Sequence, residues 1–495
     1  MRKLFRLTTL GFAVCVVLIP FLLHRKLKTH RGTVLILRGG HHPYIRHNLH
    51  RLGTRRMNRS CPNKYDRQVT NALKLSDQFI REKLLTSAHY NRTITYEDDS
   101  TFPKSAVNDL FPYSAFLNTS NDVRQVDIIS IAPTHKGEHN KIQQRTTCYI
   151  DFENSTISTP VVLSYVFEHM KSSYGTAFIS CRYPPHIRSV PVRVALATTG
   201  SRSYLRWLNV HYSSRNHGSR HGDRKVLLTL CVGPLYEGYN QLSQIVEFFA
   251  YYSVMGIEHF HLYLTDVPRE VAALLQLIKF SANVSISFHL WNVDLNAARV
   301  AFYGQMAAIQ DCIYRSKTTS EYTVHVDFDE FLVPSDNKTL AQTVVELENT
   351  TEKKKLGSLV APNWFFCYEY PPRRNALWER PLMLSRVLVV RERTPWEHNV
   401  RSKYIASTSA TIVGGVHYVL EAVNGSEHVQ VSTNTLVVNH YRRCCGLVNE
   451  KAKQALVPDE PDLPDVVNDY RIQAYGMQVL ASPVIAVIQR LGELP

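Results

Sequence analysis

Three acids in four residues, Asp327, Asp329 and Glu330, stand inside the apolar run EYTVHVDFDEFLVP, residues 321–334. β-Branched and aromatic residues (Tyr322, Thr323, Val324, Val326) make the run read as one short strand closed by Pro334. Side chains two apart on a strand point the same way, so Asp327 and Asp329 are expected to emerge together near its carboxyl end. Two carboxylates so placed are costly to bury unpaired, and a hard divalent cation with oxygen ligands offsets that cost. The competing reading is an acidic turn at the surface. Two histidines on later strand-like runs, His417 in GGVHYV and His440 in VVNHYRR, add imidazoles to the candidate ligands. A lone histidine in such a run is more often a packed or surface residue.

The elements that must position these residues begin after the polar linker 213–224. A strand at 225–234 precedes a helix at 241–256, where Leu242, Ile245, Val246, Phe249 and Tyr252 share a face and Gly256 ends it. A strand at 259–265, a helix at 268–280, a strand at 284–291 and a long helix at 296–315 lead into the acidic strand. A helix at 339–352 and a strand at 356–367 follow it. This alternation predicts parallel βαβ units, in which ligands sit beyond the carboxyl ends of the strands. The chain has no G-x-G-x-x-G and no G-x-x-x-x-G-K-[ST], so neither dinucleotide nor P-loop chemistry is indicated. Before the linker, residues 123–212 carry short β-rich runs divided by turns, which suggests a small antiparallel sandwich or barrel. Cys148 and Cys181 lie on two of these runs as a plausible staple; the unit serves carbohydrate binding or packing.

The whole chain sets limits on partners. At 495 residues it holds more than one ordinary domain. Its net charge of +15 is concentrated in the first 65 residues, which hold fourteen Lys and Arg and no acid, leaving about +1 for the rest. A nucleic-acid partner is therefore not indicated for the folded body. Residues 7–23 (LTTLGFAVCVVLIPFLL) are uncharged, flanked by cations, and leave through Phe21-Leu22-Leu23-His24 with no small-residue cleavage site. They read as a signal-anchor, with a short cytosolic tail and a lumenal body. Sequons at Asn58, Asn91, Asn118, Asn154, Asn283, Asn337, Asn349 and Asn424 fit that compartment, as do eight cysteines outside the anchor. The neighbours Cys444 and Cys445 read as two half-cystines with different partners.

Taken in order, LCVGPLYEGYNQLSQIVEFFAYYSVMGIEHFHLY, YGQMAAIQDC, VHVDFDEFLVP, NWFF, KYI, GVHY and NHYRR resemble glycosyltransferase family 92, over residues 230–441. The resemblance implies a Rossmann-like GT-A fold, a UDP-sugar donor (UDP-galactose), a divalent cation such as Mn²⁺, and inversion at the anomeric carbon. It also implies a glycan acceptor, an N-glycan or another glycoconjugate, at the Golgi membrane. At Phe366-Cys367-Tyr368-Glu369-Tyr370 the chain departs from the Gly/Ser-rich turn expected of the family. The expected class is thus α/β. The organisation is a tail and anchor over 1–30, a stem over 31–122, a β-rich sandwich-like domain over 123–222, a GT-A glycosyltransferase domain over 223–450 and a C-terminal tail over 451–495.

Within that scheme Asp329 is expected to bind the metal directly, and Asp327 to bind it through water or hold the ribose. His417 is the first choice for a further metal ligand and His440 the second. Lys403 and Arg442 are candidates to stabilise the departing diphosphate, or else solvated surface cations. Inversion needs a group to take the acceptor proton, for which Glu369 and Glu379 stand in the right part of the chain. Glu330 could brace the acidic loop. Glu247, Gln305 and Asp311 are read as structural, with a smaller donor-site claim. Two other classes fit parts of the pattern: a glycoside hydrolase using paired carboxylates, and a membrane-anchored lectin without turnover.

Overall fold

The computed structural model describes residues 63–491, except 88–89, 99, 104–106, 120–122, 136, 169–170, 202, 213–224, 351–354 and 445–465. The expected anchor, the basic arm, Asn58, Cys61 and Cys445 lie outside the described residues. Among the described residues no single helix is long and apolar enough to cross a membrane.

The first helix, α1 (Lys64–Leu85), is capped by Asn63, whose side chain accepts from the amides of Tyr65 and Asp66. Its apolar face (Val69, Leu73, Ile80, Leu84) enters the main core, so the expected stem is part of the folded body from this point. Seven strands then close a barrel: β1 (Phe111–Asn118), β2 (Gln125–Pro133), β3 (Thr146–Phe152), β4 (Ser155–Tyr165), β5 (Tyr174–Arg182), β6 (Arg193–Thr198) and β7 (Tyr204–His211). A short helix, α2 (Glu138–Arg145), links β2 to β3. Their order is β1-β2-β5-β4-β3-β6-β7, and the parallel pair β1/β7 shuts the seam. The β-rich unit is thus a barrel and not a sandwich, and it begins at Phe111 and not at 123. β1 showed no alternation because both its faces are buried. Ala115 faces the barrel interior, while Tyr113 and Phe116 pack on the neighbouring sheet. The expected Cys148–Cys181 staple is present inside the barrel.

The second body is mixed α/β. Its main sheet takes β8 (Val226–Leu235), β9 (His259–Leu264), β10 (Ile286–Leu290) and β11 (Ser320–His325) as parallel strands in the order β10-β9-β8-β11. The expected crossovers join them: α3 (Leu242–Val254), α4 (Arg269–Ser281) and α5 (Gln305–Ser316). The predicted acidic strand is two strands: after β11 the chain turns and β12 (Glu330–Pro334) joins a different sheet. After α6 (Leu340–Thr350), the predicted strand 356–367 is likewise broken, by Pro362, into β13 (Lys355–Ala361) and β14 (Asn363–Cys367). A short helix, α7 (Leu384–Val387), and β15 (Val390–Glu392) lead to β16 (Lys403–Ser407), which runs antiparallel to both β11 and β13. A hairpin, β17 (Thr411–Gly414) and β18 (Val419–Ala422), precedes β19 (Ser426–Gln430), which borders β13. β20 (Leu436–Arg442) lies between β12 and β14 in a three-stranded sheet. β21 (Val466–Asn468) pairs with β15.

The predicted long helix over 296–315 also starts late. Phe302 and Tyr303 adopt left-handed backbone, and α5 begins only at Gln305. Gly304 shares that left-handed conformation, and any side chain there would strike Ile131 of the barrel. The last helices, α8 (Gly476–Leu480) and α9 (Pro483–Arg490), bury Val479, Val484, Ile485 and Ile488 in the same core as α1 and α3. Lys83 of α1 donates to the carbonyls of Gln489 (2.9 Å) and Leu491 (2.8 Å). The expected C-terminal tail is therefore structural at its end.

Barrel and sheet are joined by a buried polar knot. Asp311 of α5 accepts from Ser114 of β1 (2.5 Å), Tyr263 of β9 (2.6 Å) and Arg315 (2.6 Å). Arg315 also pairs with Asp98. Asp311 is thus placed structurally, the first of the two readings its sequence position allowed. A second disulfide, Cys231–Cys312, ties β8 to α5.

Candidate functional site

The acids stand in a tight turn at the carboxyl end of β11, the end where a parallel sheet presents ligand sites. The turn closes on itself: Glu330 N donates to Asp327 O (3.0 Å), and Asp327 N donates to a Glu330 carboxylate oxygen (2.8 Å). Between the two aspartates, Phe328 is buried against Phe248 of α3 (ring centroids 4.6 Å apart) and Tyr239 (5.6 Å). That anchor holds the ring in the core and leaves both neighbours at the surface of the turn. α3 also fixes β12: the Tyr252 hydroxyl donates to Glu330 O (2.9 Å) and accepts from Leu332 N (3.1 Å).

The aspartates therefore do not share a strand face. Asp327 points to Lys403 of β16 (Nζ–Oδ2 3.0 Å) and accepts from Gln305 at the start of α5 (3.3 Å). Asp329 points to His440 of β20 (Oδ2–Nε2 3.2 Å), which the β12/β20 ladder sets opposite Glu330. His440 Nδ1 lies 3.3 Å from Glu330 Oε1 and is buried without a hydrogen-bond partner. Asp329, Glu330 and His440 bring one ligand atom each within 4.8 Å of one another.

The electrostatics follow from burial and pairing. Glu330 is 2 % exposed, and its carboxyl is pushed above the usual range by burial, against the pull of Lys403 at 2.9 Å. Asp329 goes the other way: enclosure opposes its charge, but the His440 imidazole, then Arg442 and Lys403, hold it below the usual range. Lys403 is 3 % exposed; burial disfavours its charge, yet Asp327 and Glu330 raise its affinity for the proton. Its ammonium is spent on the turn. Glu330 braces the acidic loop, as its position suggested.

Of the residues singled out from the sequence, the structure brings Asp327, Asp329, Lys403 and His440 together, with Arg442 close enough to act on Asp329. His417 lies elsewhere along the rim: its Nδ1 is 3.0 Å from Ser402 O, the residue before Lys403. A carbonyl only accepts, so Nδ1 carries the proton there. Glu369 is 1 % exposed and accepts from Cys444 N (3.1 Å), beside the Cys367–Cys444 disulfide. Those two sulfurs and Glu369 also cluster, but the sulfurs are bonded to each other. The departure at Phe366–Tyr370 thus places a cross-link between the ends of β14 and β20. Glu379 stands in a fork with Arg386 (2.6 and 2.8 Å) and is about a third exposed. Glu247, read as structural, accepts from the amides of Leu384 and Ser385 (2.6 and 2.9 Å) at the start of α7.

Gln305 gains a clearer place at the site than its helix pattern suggested. Gly233 of β8 is what lets it approach: a Cβ there would lie 3.1 Å from its Nε2 and 3.2 Å from its Cγ. Tyr236 and Tyr303 stack beside it at 4.4 Å, and Asp327 lies near enough to help raise the Tyr236 hydroxyl, after burial. No pattern in sequence linked these positions, because the contact crosses from the end of β8 to the left-handed turn before α5.

Comparison with known proteins places this site in context. Residues 227–470 match the model of the family described as glycosyltransferase family 92. The chain is 26 % identical over 214 residues to the beta-1,4-galactosyltransferase galt-1 of Caenorhabditis elegans, covering 41 % of this chain and 47 % of that protein. It is 25 % identical over 150 residues to the glycosyltransferase family 92 protein F13G3.3 of the same organism, covering 26 % and 29 %. The match thus spans less than half the length of either relative.

Proposed function

From the premise that this chain carries a glycosyltransferase family 92 domain, we propose that it is an inverting, metal-dependent glycosyltransferase of GT-A type. It moves a hexose, galactose from UDP-galactose, onto a glycan acceptor in the Golgi lumen. The observation that carries the reading is the Asp327–Glu330 turn at the carboxyl end of β11, with His440 held against it. The galactose assignment draws on the printed name of one distant relative.

The donor set suits a divalent cation. Asp329 offers a carboxylate kept ionised by its neighbours, and the buried Nδ1 of His440 has no other partner among the described residues. Asp329 and His440 would hold the ion, with Asp327 at the exposed lip of the turn and His417 the further candidate. Once bound, such an ion acts as a Lewis acid on diphosphate oxygens. The chain's own residues supply the rest. Lys403 and Glu330 keep the turn closed, so the aspartates stand preorganised. Arg442, at the end of β20 and close enough to act on Asp329, adds positive charge that would stabilise the departing diphosphate. Glu379 is the accessible candidate to take the proton from the acceptor hydroxyl, and Arg386 fixes its orientation. The acceptor oxygen then bonds to the anomeric carbon as the bond to the diphosphate breaks.

The test is UDP release and sugar transfer by the secreted lumenal part with Mn²⁺, a panel of UDP-sugars and N-glycan acceptors. Turnover with UDP-galactose that disappears in EDTA and in Asp329→Asn is the expected result. Silence with every donor from a folded sample would favour the lectin reading, and turnover surviving EDTA the hydrolase.

A further inference from the structure

A second site lies away from the acidic turn, in a cleft of about 730 Å³ between the barrel and the main sheet. Its walls are the ends of β1 and β7, the opening residues of β8 and β9, strand β10 and the loop after α5. These are the amino ends of the parallel strands, whereas the acidic turn is at the carboxyl end of β11. Two histidines on β9, His259 and His261, project from one face because strand side chains repeat every second residue. His289 of the neighbouring β10 meets them, its Nε2 2.8 Å from His261 Nδ1, and His211 of β7 completes the imidazoles.

The balance of charge in this cleft is unusual. Arg315 is neutralised by Asp311 and Asp98, and His211 also lies 3.5 Å from Asp98. Of the acids lining the cleft, Glu97 is paired with Lys279 and Glu258 accepts from Leu227 N. Among the described residues Lys317 has no carboxylate in contact. Its ammonium sits 3.7 Å over the ring of Tyr314, and burial pulls its pKa down to about 8, with only the distant field of Asp127 opposing. Asp127 is itself occupied by Asn118, Gln125 and Ser180. His289, 2 % exposed, keeps an Nδ1 with no hydrogen-bond partner among the described residues. A half-buried cation that touches no carboxylate among the described residues and a buried imidazole with a spare nitrogen are both costly to leave so, unless a ligand completes them.

We propose that this cleft binds a small organic oxyanion, a carboxylate, sulfate or phosphate ester, between Lys317 and the His261–His289 pair. The volume fits a body of about monosaccharide size beside the charged group. Phe116 and Tyr314 supply apolar wall for that body. The site is separate from the transfer reaction and requires neither the metal nor the nucleotide-sugar.

The test is calorimetric titration of the full chain, freed of metal and then dialysed free of chelator, with sodium sulfate, glucuronate and, as the neutral control, glucose. Saturable binding of sulfate or glucuronate, and none of glucose, is expected. Lys317→Met should weaken it roughly tenfold or more, as loss of a charge-assisted contact does. His261→Phe should weaken it as well, while Lys141→Met, on the exposed helix α2, should not. Because no carboxylate among the described residues touches Lys317, Lys317→Met is expected to melt no lower than the parent, so lost binding will not be mistaken for lost folding. Glucuronate binding tighter than sulfate would show that the body is read as well as the charge. Glucose binding as well as glucuronate, anion binding untouched by Lys317→Met, or no binding by a cooperatively melting sample would each overturn the proposal.

Discussion

Replacing Lys403 by Met tests whether the acidic turn is held by one buried cation. The ammonium contacts Glu330 at 2.9 Å and Asp327 at 3.0 Å. The Asp327 carboxylate is 43 % exposed, so that pair is screened and worth at most about 1 kcal/mol. The Glu330 carboxylate is 3 % exposed, and stranding it costs about 3–5 kcal/mol while it stays ionised. It need not stay so. Burial already raises the Glu330 pKa, and without Lys403 it must rise further. The folded variant then binds a proton that the unfolded chain releases near pH 4.5, so its stability is fullest below that pH. It falls by up to about 1.4 kcal/mol per pH unit as the pH climbs towards the raised pKa. Urea unfolding followed by tryptophan fluorescence at pH 5.5 and pH 8 should show a small loss at the lower pH and the full loss at the higher. Adding Glu330→Gln should restore most of it. A loss under about 1 kcal/mol at pH 8, or one indifferent to pH and to Glu330→Gln, would refute the account.

Three further outcomes follow from the same geometry. If Asp329 and His440 hold a divalent cation, Mn²⁺ at a hundred times its dissociation constant should stabilise the protein by about 2.7 kcal/mol in thermal melts; Asp329→Asn and His440→Phe should abolish the shift. Gly233→Ala should push Gln305 off Asp327 and lower kcat more than melting temperature, whereas equal loss of both would point to a merely structural glycine. Glu247 has its pKa raised by burial to about 7, against 4.5 when unfolded. Stability from this group is therefore present below pH 4.5 and lost as pH rises through 7, an effect of roughly 3 kcal/mol. Glu247→Gln should flatten that slope in urea midpoints measured from pH 4.5 to 8.

Much of the frame was legible because its elements declare themselves locally. The β8–β11 alternation, the apolar face of α3 and the Cys148–Cys181 pair needed only periodicity and spacing. The acidic cluster was singled out for a partly wrong reason. D-x-D read as two side chains on one strand face, but Phe328 is drawn into the core and the chain turns there, so the acids part towards Lys403 and His440. What turned the strand was an aromatic that any strand could carry, and its destination was visible only in three dimensions. His440 ranked below His417 because each sits in a similar short run; the β12/β20 register distinguishes them, and register is a long-range property. The barrel's first strand was missed because burial on both faces erases alternation. That the helices at the two ends belong to the body was missed, because α1 and α9 meet across the whole chain, beyond any sequence window.

That last contact carries a consequence for how the protein is made. The lysine near the end of α1 grips backbone carbonyls 406 and 408 residues downstream. During synthesis the amphipathic face of α1 is among the first apolar surfaces of the body to appear and among the last to be covered. The barrel can close while the ribosome is still translating, since its strands are consecutive and its cross-link spans 33 residues. The α/β body cannot be completed until its final helices emerge, and contacts of such long separation form slowly. The nascent chain is therefore obliged to carry an exposed α1 for most of its synthesis, a natural window for chaperone binding. A chain stopped short of α8 would carry that exposure permanently.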